Sequence, residues 1–301
     1  MIEKVINRKN MRLACQQVLK NKGSAGVDGM NLSQLTQTVK QHRDVIAASM
    51  VNETYRPQPI LGLSITEDNG KERLLGIPTV VDRWLQQSVA QAIMPKFELE
   101  FKAHSYAFRP KKNAQQCVLQ SHKYINEGYQ HIVDIDLKKF FDEVNHCLLL
   151  ELLYRKVKCR TTLRLIRKWI RVPIMIEGKL IKRRKGIPQG SPLSPLLSNI
   201  MLHELDKYLE QKGLKYVRYA DDFSIYTKSK SEARKTGNEV YLFLKNKLKL
   251  PINREKSGIR RPLTFKVLGY KFVPTEDGCN TSEWQVFTAN SKTWTVGCAI
   301  V

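Results

Sequence analysis

Val217-Arg218-Tyr219-Ala220-Asp221-Asp222-Phe223-Ser224-Ile225-Tyr226 is the stretch whose reading decides the fold. Apolar, β-branched and aromatic residues flank the aspartates and predict two short strands with a hairpin turn between them. Asp suits a turn, but two adjacent carboxylates repel each other. The repulsion is relieved when they hold divalent cations, whose ligands are typically carboxylate and phosphate oxygens. Most Asp-Asp pairs are solvated surface turns. This pair gains meaning from a second acidic stretch upstream and a glycine- and proline-rich loop between the two.

The upstream stretch is His131-Ile132-Val133-Asp134-Ile135-Asp136-Leu137-Lys138-Lys139-Phe140-Phe141-Asp142. Ile132, Val133 and Ile135 predict a strand apolar enough to be central in a sheet. Carboxylates at the end of a buried strand are costly unless paired or bound to metal. Asp136 and Asp221 are far apart in sequence, so only neighbouring strands could join them, leaving room for two Mg²⁺ ions about 3.5–4 Å apart. The loop between is Gly186-Ile187-Pro188-Gln189-Gly190-Ser191-Pro192-Leu193-Ser194-Pro195, followed by a helical pattern through Leu196, Leu197, Ile200, Leu202 and Leu205. Its glycines and prolines restrict the backbone and hold the Gln189 amide, an arrangement that can set backbone against a base pair or nucleotide.

Charge narrows the partners. The 301 residues carry a formal charge of +23, from 51 Lys and Arg against 28 Asp and Glu. That excess points to a polyanion, nucleic acid before membrane. The length allows about two domains. Six scattered cysteines without a Cys-x-x-Cys pair predict reduced thiols of an intracellular protein. Met1-Ile2-Glu3-Lys4 lacks the plan of a signal peptide, and no run of about 18 apolar residues exists, so a cytoplasmic protein without a membrane span is expected.

The remaining patterns predict helices over 5–19, 33–50, 114–125, 146–158 and 230–248, and one starting at Pro78-Thr79 with Trp84, Leu85, Val89 and Ile93 on one face. Lys22 to Gly29 forms a tight glycine loop whose backbone can lie close to a phosphate backbone. Residues 61–66 and 72–77 predict a hairpin carrying Arg73 and Lys71, either as anion contacts or as solvated charges. His104 to Lys112 mixes aromatics with Arg109, Lys111 and Lys112, which suits nucleic-acid contacts or a buried Tyr-Phe pair beside a basic rim. Leu152 to Ile176 contains no acidic residue, and Arg164, Arg167, Lys168 and Arg171 make one helical stripe suited to phosphates. Hairpins are expected over 173–185 and 265–272. Residues 275–301 show no helical period and receive no role.

Together these stretches resemble the reverse transcriptases of group II introns, over roughly residues 22–274 and in the family's order. Residues 22–29 are similar to its N-terminal loop insertion, 73–87 to the fingers motif, 105–111 to the motif that follows it, and 136–142 to the first catalytic motif. Residues 186–199 resemble the Pro-Gln-Gly loop and helix, 219–222 the catalytic hairpin, and 265–272 the closing hairpin of the palm. Each motif is weak alone; seven in order are specific. The resemblance implies an α+β right-hand polymerase, with helical fingers carrying β-hairpins and a palm with a small antiparallel sheet. Fingers would span 1–95 and 143–185, and palm 96–142 and 186–274, with 275–301 unassigned and the thumb and maturase domain missing.

By the same resemblance, Asp136, Asp221 and Asp222 would be catalytic and hold two Mg²⁺ ions together with the Leu137 carbonyl. Phe141 would exclude ribonucleotides, Gln189 would line the nucleotide pocket, and Arg73 with Lys71 would clamp the triphosphate. The family often has a basic residue where Glu67 stands here. Lys256 would give a proton to pyrophosphate. Lys22, Arg109, Lys111, Lys112, Arg164, Arg167, Lys168 and Arg171 would contact RNA. Implied partners are group II intron RNA, an RNA template with a DNA primer, deoxynucleoside triphosphates and a second copy in a homodimer. Two functions follow: an RNA-directed DNA polymerase that also serves intron splicing and retrohoming, or an RNA-binding splicing factor using the polymerase fold as a scaffold.

Overall fold

Capping side chains set most helix starts. Asn7, Thr79, Asn113, Asn145 and Ser229 each accept a backbone N–H from the first turn of the helix that follows. Asn7 also explains a departure from the sequence pattern. The single helix expected over 5–19 is two, Ile2–Ile6 and Arg8–Asn21, because Asn7 leaves helical geometry, with ψ 134°, to cap the second.

The structure, a computed structural model, describes residues 1–66, 70, 72–274, 284–288 and 293–294. Two compact units result: Met1–Glu100 with Lys139–Met201, and Phe101–Lys138 with Leu202–Val301. Residues 186–201, which the resemblance groups with the palm, fall in the first unit. The cause is backbone bonding, since Ile187 N–H donates to the Phe141 carbonyl at 2.7 Å and Gly76 N–H to the Gln189 carbonyl at 2.8 Å. Among the described residues no helix is long and apolar enough to cross a membrane.

The first unit joins helices to a four-stranded sheet in the order Glu72–Ile77, Ile60–Thr66, Ile174–Ile176, Lys179–Ile181. Both expected hairpins form, linked by a parallel pairing of Ile60 with Ile174. The helix Val80–Glu98 is the spine of this unit, with Val80, Trp84, Leu85, Val89 and Ile93 fully buried. Trp84 Nε1 donates to the Met11 carbonyl at 2.8 Å, which makes it core. Arg83, on the same helix, donates to the Ser24 carbonyl at 2.6 Å and holds down the glycine loop. A Cβ at Gly23 would stand 2.6 Å from Arg83, and one at Gly26 2.7 Å from the Thr79 backbone. At these two glycines the close approach is therefore to protein neighbours.

Asp82 is 1 % exposed and is held by neutral donors. It accepts from Tyr55 Oη and Trp169 Nε1 at 2.8 Å, Thr79 Oγ1 at 2.9 Å and Gln58 N–H at 3.1 Å. Burial pushes its pKa up against the pull of these donors. Asp82→Asn turns one acceptor oxygen into a donor facing two donors, so about 2 kcal/mol of stability should be lost. Denaturant unfolding measures this; a loss under about 0.5 kcal/mol would mean the network holds nothing together.

The second unit contains an antiparallel sheet in the order Lys215–Tyr219, Asp222–Thr227, His131–Ile135, Gly258–Arg260. The helix Ala114–Asn126 packs Cys117, Val118 and Tyr124 with Ile132 and Tyr226 of this sheet, while Gly237 of Lys230–Phe243 faces Val133. The expected helix over 230–248 ends in a π-helical turn, Leu244–Leu248. A second sheet forms from Lys266–Val267, Tyr270–Pro274, Trp284–Thr288 and Thr293–Trp294. The sequence pattern leaves the tail irregular, yet Trp284–Thr288 pairs antiparallel with Tyr270–Pro274 and buries Trp284 and Val286.

Candidate active site

In the second unit Tyr219 pairs with Asp222, leaving Ala220 and Asp221 as a two-residue turn. Ala220 has φ +59°, a conformation that such hairpins usually give to glycine. The central strand runs antiparallel to the hairpin, with Ile135 opposite Phe223. One further step of that register sets Asp136 across from Asp222 and Leu137 across from Asp221. Side chains alternate along strands, so Asp134, Asp136, Asp222 and Ser224 share one face. Asp134, Asp136 and Asp222 line a cleft of about 820 Å³, together with Cys117, Lys256 and Arg260. Asp221 stands at the turn beside it.

Asp136 is anchored by its backbone. Its N–H donates to Ser257 Oγ at 3.0 Å, and its carbonyl accepts from Asn253 N–H at 2.8 Å. Lys138 N–H donates to the Pro251 carbonyl at 2.9 Å, so Leu137 and Ile252 form a pair whose own polar groups do not bond each other. In such a pair the N–H and C=O turn to the opposite edge. That edge carries Asp222–Thr227, where a Leu137 carbonyl could act as a ligand beside the aspartates.

Electrostatics separates Asp222 from an ordinary surface acid. Although one side of it is open to water, the cleft walls desolvate its carboxyl, and Asp221, Asp136 and Asp134 repel its charge. The pKa is pushed up to about 6, with Lys256 pulling it down. Asp134 is also raised by burial, and its partner is Arg260 Nε at 2.8 Å. Cys117 is not a nucleophile here: burial, then Asp222, push its thiol up to about 12.

This donor set fits a divalent cation that shares its ligands with a substrate. Among the described residues no three His, Cys, Asp or Glu side chains form a ready metal cage. Mg²⁺ usually takes one or two carboxylates plus substrate phosphates, keeping several waters. A carboxyl such as Asp222, whose charge its acidic neighbours disfavour, with phosphate supplying the remaining oxygens, matches that habit.

The first unit holds the residues expected at the nucleotide. Gly186 N–H donates to the Val144 carbonyl at 2.7 Å, and a Cβ on Gly186 would lie 2.8 Å from the Phe141 and Asp142 carbonyl oxygens. Gly190, at φ +106°, would bring a Cβ within 2.4 Å of the Gly76 carbonyl. These close approaches bind the Phe141 turn, the Gln189 loop and the Glu72–Ile77 strand into one body. Phe141 is half-buried, and its ring meets the buried Phe140 edge-on at 5.4 Å. The Arg73 backbone pairs with Ile65, but its side chain, together with Lys71 and Glu67, lies outside the described residues.

The basic residues divide. Arg109 donates to the carbonyls of Lys102 at 2.5 Å and Ser105 at 2.7 Å, and its guanidinium lies 5.3 Å from the centre of the Phe101 ring. Lys112 donates to the Ala103 carbonyl at 2.9 Å and lies over the ring of the buried Tyr106. Both therefore staple their own loop. Lys22 and Lys111 are exposed. In the stripe, Arg164 pairs with Glu53, and Lys168 donates to the carbonyls of Glu53 at 2.7 Å and Tyr55 at 2.8 Å. Arg167 and Arg171 face solvent. One cation of the stripe is thus paired with an acid from just beyond another helix, and Lys168 is engaged by backbone carbonyls. Two residues that bond the backbone here escape a reading of the sequence: Ser257, on the Asp136 N–H, has no local signature, and Arg218, on the Ala220 carbonyl, signals itself only by its charge inside an apolar strand.

Residues 65–272 match the family described as reverse transcriptase (RNA-dependent DNA polymerase). The chain is 29 % identical to protein YkfC of Escherichia coli, over 86 % of this chain and 79 % of that protein. It is 30 % identical to the group II intron-encoded protein LtrA of Lactococcus lactis, over 75 % of this chain, and spans 48 % of that protein's length. Among solved structures, a chain of a partial Cas6-RT-Cas1–Cas2 complex matches 81 % of this chain at TM-score 0.51 and 26 % identity, with 42 % of that chain covered. Telomerase from Candida albicans matches 84 % of this chain at TM-score 0.56, covering 52 % of that chain; at 13 % identity this is a likeness of fold.

Proposed function

The chain belongs to the reverse transcriptase family, and from that premise we propose that it is an RNA-directed DNA polymerase of the group II intron type, which also binds intron RNA. The observation that carries the reading is the carboxylate group on adjacent strands, with Asp222 raised to about 6 by burial and by its neighbours. A scaffold serving only to bind RNA has no use for such repulsion. Asp136 and Asp221 would hold two Mg²⁺ ions, with Asp222 and the Leu137 carbonyl beside them. Ions held there would supply Lewis-acid chemistry to a primer 3′-hydroxyl and charge neutralisation to pyrophosphate.

The chain's own residues supply the rest. Phe141, its ring packed edge-on against Phe140 and its backbone bonded to the Gly186 loop, blocks the space of a ribose 2′-hydroxyl. Gln189 offers its amide to the nucleotide, and Arg73 with Lys71 binds the triphosphate. Lys256, exposed at the rim of the carboxylate cleft, gives a proton to pyrophosphate as it leaves. Extension of a DNA primer on an RNA template with deoxynucleoside triphosphates and Mg²⁺ tests the reading. A folded chain that binds the template and primer but never extends would overturn it.

RNA binding makes a separate prediction. Arg167→Gln with Arg171→Gln should make the log-log salt dependence of RNA affinity shallower, by about 0.7 to 0.9 for each phosphate no longer neutralised. Arg164→Gln should instead act on stability, since it leaves Glu53 without its guanidinium. RNA titrations at several salt concentrations separate the two; an unchanged slope would make the exposed arginines a solvated face.

A further inference from the structure

We propose that Arg218 is a positioning residue for Asp221: its buried guanidinium clamps the Ala220 carbonyl and so fixes the peptide that aims the Asp221 carboxylate. This deepens the polymerase reading and rests on it.

Arg218 lies in a strand beside Tyr216 and Val217 and is fully buried, as is Asp206. A buried guanidinium is tolerated when a carboxylate meets its fork. Arg218 Nε donates to Asp206 Oδ1 at 2.8 Å and Nη2 to Asp206 Oδ2 at 2.6 Å. Nη2 also donates to Ser105 Oγ at 2.7 Å. The backbone is tied to the same loop, with Arg218 N–H donating to the His104 carbonyl and Tyr106 N–H to the Arg218 carbonyl, both at 2.9 Å. The guanidinium is therefore held on two sides before it reaches the turn. Its remaining arm, Nη1, donates to the Ala220 carbonyl at 2.8 Å.

That carbonyl belongs to the peptide linking Ala220 to Asp221. Ala220 holds φ +59° without being glycine, so the turn is not the conformation its residue prefers. Asp221 and Asp222, adjacent in sequence, also repel. Left to itself, such a turn would relax by rotating the Ala220–Asp221 peptide, and Asp221 would swing with it. A charge-assisted hydrogen bond from a fixed donor opposes that rotation. Stability alone does not require this arrangement, because a buried ion pair can often be replaced by apolar residues of similar volume without loss. What an apolar pair cannot do is hold the Ala220 carbonyl.

The test uses that difference in the full chain. Arg218→Met combined with Asp206→Leu should melt within a few degrees of the parent and bind an RNA template with DNA primer equally well. Its single-turnover nucleotide incorporation should fall about 100-fold, the scale of a misplacement near 1 Å. A folded double variant incorporating at the parent rate would overturn the proposal. Should that variant not fold, Arg218→Lys keeps the charge but lacks the planar fork, and the same loss at unchanged affinity is expected. Parental incorporation by a folded Arg218→Lys would overturn the proposal as well.

If the parent itself does not incorporate nucleotides, the polymerase reading fails, and the amide resonance of Asp221 still decides the positioning. That N–H belongs to the clamped peptide. In the folded variants its chemical shift and hydrogen exchange should change while those of Phe223 to Thr227 stay in place. An unmoved Asp221 amide would mean that the guanidinium positions nothing.

Discussion

Asp221→Ala combined with Asp222→Ala should lower primer extension by at least about 10³-fold while leaving RNA affinity nearly unchanged, because several kcal/mol of transition-state charge stabilisation would be lost. These carboxylates sit at a strand turn beside a cleft and repel one another, so they are not groups that attract a phosphate backbone directly. Removing them should, if anything, favour polyanion binding. Primer extension and RNA titration on the same preparation read both effects. Extension at the parental rate would remove the aspartates from the chemistry.

The same site carries a pH signature that needs no turnover. The carboxyl of Asp222, near 4 in an unfolded chain, is raised to about 6 in the folded one. Between those values the folded state holds a proton that the unfolded state has released, so this group's contribution to stability is complete below about pH 4 and lost as pH rises through 6. Asp222→Asn cannot lose that proton. Its melting temperature should therefore exceed the parent's by a margin that grows from pH 4 to 6 and then levels off. Mg²⁺ added at pH 7.5 should raise the parent's melting temperature more than the variant's.

What the sequence made legible was local. The hairpin around Ala220 and Asp221 could be read because alternation and a turn lie within ten consecutive residues. The Asp136 strand could be read because Ile132, Val133 and Ile135 precede it. The illegible parts depend on partners far along the chain. Glu53 reaches Arg164 from the end of another helix, so no window over the basic stripe could show that it was half occupied. Gly23 and Gly26 signalled a close approach without naming the neighbours, which at these two positions are Arg83 and Thr79. The strand Trp284–Thr288 shows inward alternation only at Trp284 and Val286, too little to stand out until Tyr270–Pro274 lies beside it. Ser257 bonds the Asp136 N–H and Arg218 the Ala220 carbonyl, contacts that carry no motif.

Phe141→Ala should relax the preference for deoxynucleotides over ribonucleotides by about 10- to 100-fold. The backbone that carries the ring is fixed on one side and the ring itself is packed on another. Ile187 N–H bonds to the Phe141 carbonyl at 2.7 Å, and Gly186 packs so closely on the same turn that no side chain fits there. Behind the ring stands Phe140, 2 % exposed, in edge contact. Retreat of the ring toward Phe140 is opposed by that buried neighbour. Forcing an extra group into a packed space costs about 1–3 kcal/mol, which as a difference between two substrates gives the stated range. Truncation to alanine removes the obstacle but leaves Phe140 and the Gly186 bonds, so the chain should remain folded and incorporate deoxynucleotides at a similar rate. Phe141→Tyr retains the ring and should retain the preference. Competition between the two nucleotides on one RNA template, with both variants, reads the ratio directly; an unchanged ratio in Phe141→Ala would assign the discrimination to another residue.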